Sequence, residues 1–116
     1  MYTKGLHIMA TFKVDNTALL SNYALFKELV NNLIITHELT NVGDTYYSFP
    51  AFGYTANVCL TESHLSIHTW PEYGIATFDV FLSNFKNDNS QKVTQIFEAV
   101  KTFFNAEVEQ YNAIER

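Results

Sequence analysis

Between Thr61 and Glu72 the chain gathers Thr61, Glu62, Ser63, His64, Ser66, His68, Thr69 and Glu72, with no lysine or arginine among them. Residue types alone leave three chemistries open. His64 and His68 stand four apart, which on a helix would bring two imidazoles to one metal ion. Leu65, Ile67, Thr69 and the terminating Pro71 favour a strand instead, where the two rings would stand about 13 Å apart. There is no HExxH pattern, and Cys59 is the only cysteine. A second chemistry is nucleophilic, with Ser63 activated by a histidine and supported by an acid, although no G-x-S-x-G elbow surrounds it. The third reading is structural, since a histidine in an apolar strand is commonly a hydrogen-bonded core residue.

The elements that must carry these residues follow from hydrophobic period. Gly5 to Val14 reads as a buried strand ending at Asp15-Asn16. From Ala18 the spacing changes to steps of four and three through Leu19, Tyr23, Phe26, Val30 and Leu33, one apolar helix face capped by Asn16 or Thr17. Thr45 to Phe49, Tyr54 to Leu60, His64 to Trp70 and Ile75 to Leu82 then read as four strands. After a polar stretch, Val93, Ile96, Phe97, Val100, Phe103 and Phe104 stripe a second helix, with Ser90 or Asn89 as its N-cap. Glu107 to Ile114 reads as a last short strand.

Two one-sided helices among these strands predict an α+β fold. Its form is a two-layer sandwich, mainly antiparallel, with both helices on one sheet face. The 116 residues suit one domain, 1–116, and a real core without disulfides. Only 16% of the residues are charged, so the uncovered face is expected to meet a second copy, giving a homodimer with an α/β/β/α arrangement. Net charge is −5 with scattered basic residues, which argues against nucleic acid. No apolar run is long enough to span a membrane, and a lone cysteine with no signal-like start points to the cytoplasm.

One echo joins the turns to the chemistry. Phe49-Pro50-Ala51-Phe52-Gly53 and Trp70-Pro71-Glu72-Tyr73-Gly74 share aromatic-Pro-x-aromatic-Gly and hold both prolines of the chain. They read as tight connections, with Pro fixing φ and Gly supplying positive φ, or as two linings of one site.

The run from Thr61-Glu62-Ser63-His64 through Ile67-His68-Thr69-Trp70-Pro71-Glu72 to Gly74 resembles the processing and active-site segment of the bacterial and archaeal S-adenosylmethionine decarboxylase proenzymes. The likeness extends to Gly5-Leu6-His7, Phe49-Pro50, Gly53 and Asp79-Val80-Phe81. These are small pyruvoyl enzymes of polyamine (spermidine) synthesis. The resemblance implies self-cleavage between Glu62 and Ser63, the serine becoming a pyruvoyl group in place of pyridoxal phosphate or a metal. That carbonyl forms a Schiff base with S-adenosylmethionine and accepts the electrons released as CO₂ leaves. By the same resemblance His68 and the residue at Thr55 assist processing. Phe49 and Leu65 flank the adenine, and Glu72 contacts the ribose or substrate.

Two positions depart from the family pattern. Thr55 stands where the family has serine, keeping the hydroxyl and adding a methyl that restricts χ1. In Phe81-Leu82-Ser83-Asn84 the family carries Thr-Cys-Gly after the Phe, so Ser83 takes the place of a catalytic cysteine. A thiol has a pKa of about 8.5 and yields a proton far more readily than a serine hydroxyl. Three consequences are open: slower decarboxylation through Ser83, water or a histidine; another substrate such as ornithine or arginine; or an unprocessed, non-catalytic homologue.

Overall fold

Strict alternation of buried and open positions runs through Tyr54–Leu60, residues 64–70 and Ile75–Leu82, so these segments pair as strands with one face in the core. A computed structural model describes all 116 residues, Met1–Arg116. In chain order the elements are β1 (Leu6–Lys13), α1 (Ala18–Ser21), α2 (Ala24–Thr36), β2 (Asn41–Ser48) and β3 (Tyr54–Leu60), then β4 (Ser63–Trp70), β5 (Ile75–Leu82), α3 (Ser90–Phe104) and β6 (Glu107–Glu115). The strands form one sheet in the order β2-β3-β4-β5-β1-β6, every pair antiparallel. The predicted α+β, two-layer architecture is the one observed.

All the helices lie on one face. Phe12, Tyr54, Ile67, Phe78 and Val80 point from the sheet into a core shared with Leu20, Phe26, Val30, Ile96, Val100 and Phe104. Six of the aromatic residues contact one another there: the Phe12 ring meets those of Phe78, Phe97 and Phe104, and Phe26 meets Tyr54 and Phe104. Replacing such a ring by alanine typically costs about 3–5 kcal/mol.

The helix expected from Ala18 onward is two helices. Asn22 takes an extended conformation, φ −135° and ψ 125°, and its side-chain oxygen accepts the Ala24 N–H at 2.8 Å. The break preserves the apolar period, because α1 still buries Leu20 while α2 buries Phe26, Val30, Leu33 and Ile34. Neither Asn16 nor Thr17 caps the start through its side chain. At α3 the N-cap position is Asn89, but its amide is turned away to the Ser83 carbonyl, and Asp88 accepts the Ser90 N–H instead. β2 begins at Asn41, four residues before the expected start, through an exposed and irregular Asn41-Gly43 segment.

The other sheet face carries His7, Met9 and Thr11 from β1, Thr55, Asn57 and Cys59 from β3, and His64, Ser66 and His68 from β4. Thr77, Asp79 and Phe81 of β5 share that face, as the cross-strand register requires. No helix covers it.

Candidate active site

Ser63 opens β4 immediately after the Thr61-Glu62 turn, and its φ is +148°. A residue with a side chain rarely adopts that value, and holding one there costs about 1–3 kcal/mol. The strain sits on the peptide that joins Glu62 to Ser63. The carbonyl oxygen of that peptide accepts the Ser83 N–H at 2.7 Å. The Ser63 hydroxyl lies 3.2 Å from His64 Nδ1. A nucleophile, a polarised carbonyl and a nitrogen base therefore meet at one strained bond.

The Ser83 backbone is held in place from two sides. Asn89, buried at the start of α3, donates from Nδ2 to the Ser83 carbonyl at 2.8 Å. Asn84 donates to the Lys4 carbonyl at 2.9 Å and accepts the Asn89 N–H at 2.7 Å. Gly5 packs so closely that a Cβ there would stand 2.3 Å from the Leu82 carbonyl oxygen and 3.1 Å from Ser83 Cα. Any side chain at position 5 would push the Ser83 amide off the Glu62 carbonyl. Behind this turn lies a cavity of about 370 Å³, bordered by Glu62, Ser83, Asn89, Lys86 and Lys92.

Around His64 the sheet assembles further polar groups. The His7 ring from β1 meets His64 edge to face, centroids 5.8 Å apart. Phe81 of β5 flanks both rings. His7 Nε2 lies 3.4 Å from Asp79 Oδ1, near enough for an ion pair but not aligned as a hydrogen bond, and Nε2 has no other partner. Arg116 places its guanidinium over Phe81 and 3.4 Å from His7 Nδ1. Burial, helped by His7, holds the His64 imidazole below its ordinary pKa. It is therefore neutral near pH 7.

The remaining sequence-predicted residues gather at the other end of the same face. Thr55 of β3 and His68 of β4 are register partners, and the Thr55 hydroxyl is hydrogen-bonded to His68 Nδ1, so the extra methyl does not prevent the contact. Phe49 and Phe52 from the β2-β3 turn and Trp70 and Glu72 from the β4-β5 turn line a cavity of about 290 Å³ with Thr55 and His68. The two echoing pentapeptides are thus both tight connections and linings of one pocket. Gly74 supplies positive φ as expected, at +64°. In the other turn Ala51 takes it, at +62°, while Gly53 is needed for close approach, since a Cβ there would lie 2.3 Å from Thr69 Oγ1.

Two expectations change with this geometry. Leu65 is 1% exposed and faces the helices, because it alternates with His64 and Ser66, so its side chain cannot flank a ligand on the open face. The residues named for processing also do not form one cluster within a chain. His68 lies five positions after Ser63, about 17 Å along the strand. For the same reason His64 and His68 share a face but not an ion. Cys59 is the cross-strand register partner of His64, closer to Ser63 than its separate strand suggested. His7, Asp79 and Arg116 escape a reading by local spacing, since only the β4-β5-β1-β6 order brings them to His64.

Comparison with known proteins extends the likeness over nearly the whole chain. A sequence profile described as S-adenosylmethionine decarboxylase matches residues 6–116, including the C-terminal part where the motif likeness is weak. A proenzyme of that name from Archaeoglobus fulgidus is 32% identical over 112 residues, 97% of this chain and 96% of its own length. One from a Hydrogenobaculum species is 42% identical over 79 residues, 68% of this chain and 59% of its own. The crystal structure of the adenosylmethionine decarboxylase from Aquifex aeolicus superposes with a TM-score of 0.79 at 32% identity, covering 100% of this chain and 91% of that one.

Proposed function

The chain belongs to the S-adenosylmethionine decarboxylase family, and on that premise we propose that it cleaves itself at Glu62-Ser63. It then decarboxylates S-adenosylmethionine for polyamine synthesis, working as a cytoplasmic homodimer. The observation that carries this reading is the strained Ser63 beside a Glu62 carbonyl held by the Ser83 N–H.

In the first step Ser63 Oγ attacks the Glu62 carbonyl carbon and its proton passes to a base. The Ser83 N–H stabilises the oxyanion, a type of contact worth about 10²–10³ in rate. The C–N bond breaks, the nitrogen takes a proton, and Glu62 is left esterified to Ser63 Oγ. Breaking the bond also releases the backbone strain. The partner subunit's His68 then takes the Ser63 Cα proton, the Cβ–O bond breaks and the Glu62 carboxylate is expelled. Water replaces the nitrogen of the resulting dehydroalanine, ammonia leaves, and residues 1–62 part from a pyruvoyl-capped 63–116.

A pyruvoyl carbonyl at position 63 supplies an electron sink for loss of CO₂ from an amine-bearing substrate. The protein's own residues bind and orient that substrate. Phe49 and His68 offer flat faces for a purine, and Glu72 offers a carboxylate acceptor for ribose hydroxyls. Ser83, whose backbone N–H meets the Glu62 carbonyl, is the residue we assign to return a proton to the substrate carbon.

The distance between the two clusters supports the homodimer. A twofold axis lying between two face-to-face sheets and passing over β4 near Leu65-Ser66 reverses the strand, and such sheets pack about 10 Å apart. Ser63 of one copy then meets His68 and Thr55 of the partner subunit. The separation of about 17 Å within one chain is closed by symmetry.

Ser83 gives the test of the catalytic assignment. Ser83→Cys restores a group with a pKa of about 8.5, and keeps the backbone N–H that holds the Glu62 carbonyl. Turnover of S-adenosylmethionine, followed as CO₂ release, is expected to rise about tenfold or more with the extent of cleavage unchanged. Equal turnover in the two forms would remove Ser83 from the proton-donor role. Release of CO₂ from ornithine or arginine and not from S-adenosylmethionine would overturn the substrate.

A further inference from the structure

Self-cleavage needs one base for the Ser63 hydroxyl and another for its Cα proton; the partner subunit's His68 serves the second, since within the chain the His68–Thr55 pair sits at the far end of β4. The chain supplies another imidazole on the spot. We propose that His64 is the general base that takes the Ser63 hydroxyl proton, and that His7, held between Asp79 and Arg116, is a positioning residue that orients it. This inference rests on the self-cleavage reading of Ser63.

The geometry gives each group one role. His64 Nδ1 is 3.2 Å from Ser63 Oγ, within reach for direct proton transfer. With its lone pair on Nδ1, the His64 ring carries its hydrogen on Nε2 and accepts from the hydroxyl. Arg116 can only donate, so its contact with His7 Nδ1 makes that nitrogen the acceptor and leaves the His7 hydrogen on Nε2, facing Asp79. His7 is buried, at 7% exposure, and its edge contact on His64 limits rotation of the imidazole. Phe81 packs against both rings and limits their movement.

Proton and electron pairs balance within this group. His64 Nδ1 takes the hydroxyl proton as the Oγ–carbonyl bond forms. The imidazolium then returns the same proton to the departing Ser63 nitrogen when the C–N bond breaks. The base is regenerated, and no outside acid is required.

The charged and titratable groups facing His64 come from every neighbouring element: His7 on β1, Asp79 on β5, Cys59 on β3 and Arg116 at the end of β6. The Glu62 carboxylate is turned aside, 3.3 Å from the Thr40 N–H. Asp79 favours the charged imidazole, whereas Arg116 and His7 disfavour it. The net displacement is downward, so the base form persists to lower pH than for a free histidine.

The test is the pH profile of cleavage in freshly refolded full-length chain, read by mass. In the wild type the rate is expected to rise with pH to a plateau, with its midpoint below the ordinary histidine value. His64→Gln keeps an acceptor near Ser63 but cannot take a proton, so cleavage is expected to slow by about 10²–10⁴ and to lose the plateau. Asp79→Asn is expected to move the midpoint to lower pH and Arg116→Gln to higher pH, opposite shifts that a packing defect would not produce. A direct check avoids the His64 variant: in uncleaved Ser63→Ala chain, the His64 imidazole followed by NMR is expected to titrate at the wild-type midpoint. Wild-type cleavage with an unchanged rate and profile in His64→Gln, or a His64 titration away from that midpoint, overturns the role of His64 alone. A wild-type chain that never cleaves overturns the self-cleavage reading and this inference together.

Discussion

Replacing Ser63 by alanine is expected to leave a single 13.3 kDa chain under conditions where the wild type divides completely. The effect is total because no other group can do the work. The attacking atom must lie on the residue after the carbonyl and be lost with its Cβ–O bond, and alanine has no oxygen there. The fold is expected to survive, since the Ser63 hydroxyl is hydrogen-bonded to His64 and the residue lies outside the buried core. Decarboxylation is expected to vanish with cleavage, because the electron sink is made from the same side chain. Gel mobility, thermal unfolding and CO₂ release on one preparation check all three. A divided Ser63→Ala chain would remove the nucleophile from the account.

The second large effect concerns two chains rather than one. Ser63→Ala and His68→Ala proteins are each expected to remain uncleaved as homodimers. Mixed during refolding, they are expected to form a heterodimer in which one of the two sites is whole. Ser63 of the His68→Ala chain then faces the intact His68 and Thr55 of its partner. Cleavage should appear in the His68→Ala chain only, limited to the fraction of mixed dimers, about half for random pairing of equal amounts. The argument rests on length: five residues of extended strand span about 17 Å, and no side-chain motion crosses that distance. A His68→Ala chain that stays whole in the mixture, or one that cleaves efficiently alone, would contradict a shared site.

Much of this was legible in the residues. β3, β4 and β5 alternate cleanly, so their extents read closely from period two, and the stripe from Val93 to Phe104 marks α3. The break at Asn22 is hidden from the sequence because the restart, held by the Asn22 side chain on the Ala24 N–H, keeps the same apolar face. The start of β2 is not legible because Asn41, Gly43 and Asp44 look like a turn and pair only at a solvent-exposed edge. The cap of α3 is half legible: the sequence offers Ser90 or Asn89, and Asn89 holds the position, but its amide is drawn to Ser83, a use that only the tertiary fold creates.

At the site, the motif located Ser63 but not its surroundings. The Ser83 N–H on the Glu62 carbonyl joins positions brought together by β4-β5 pairing, and the His7-Asp79-Arg116 group spans nearly the whole chain. No local spacing encodes such contacts. Leu65 is different: its alternation with His64 and Ser66 already places it on the helix side.

The central claim is that the prosthetic group is made from Ser63 by the chain itself. The most direct measurement is the mass of the wild-type chain after incubation with no other protein present. The expected result is two products, 1–62 ending in a free carboxylate and 63–116 lighter than a serine-initiated fragment by the mass of ammonia. A chain that stays at 13.3 kDa through prolonged incubation, or a second fragment still beginning with serine, would contradict it.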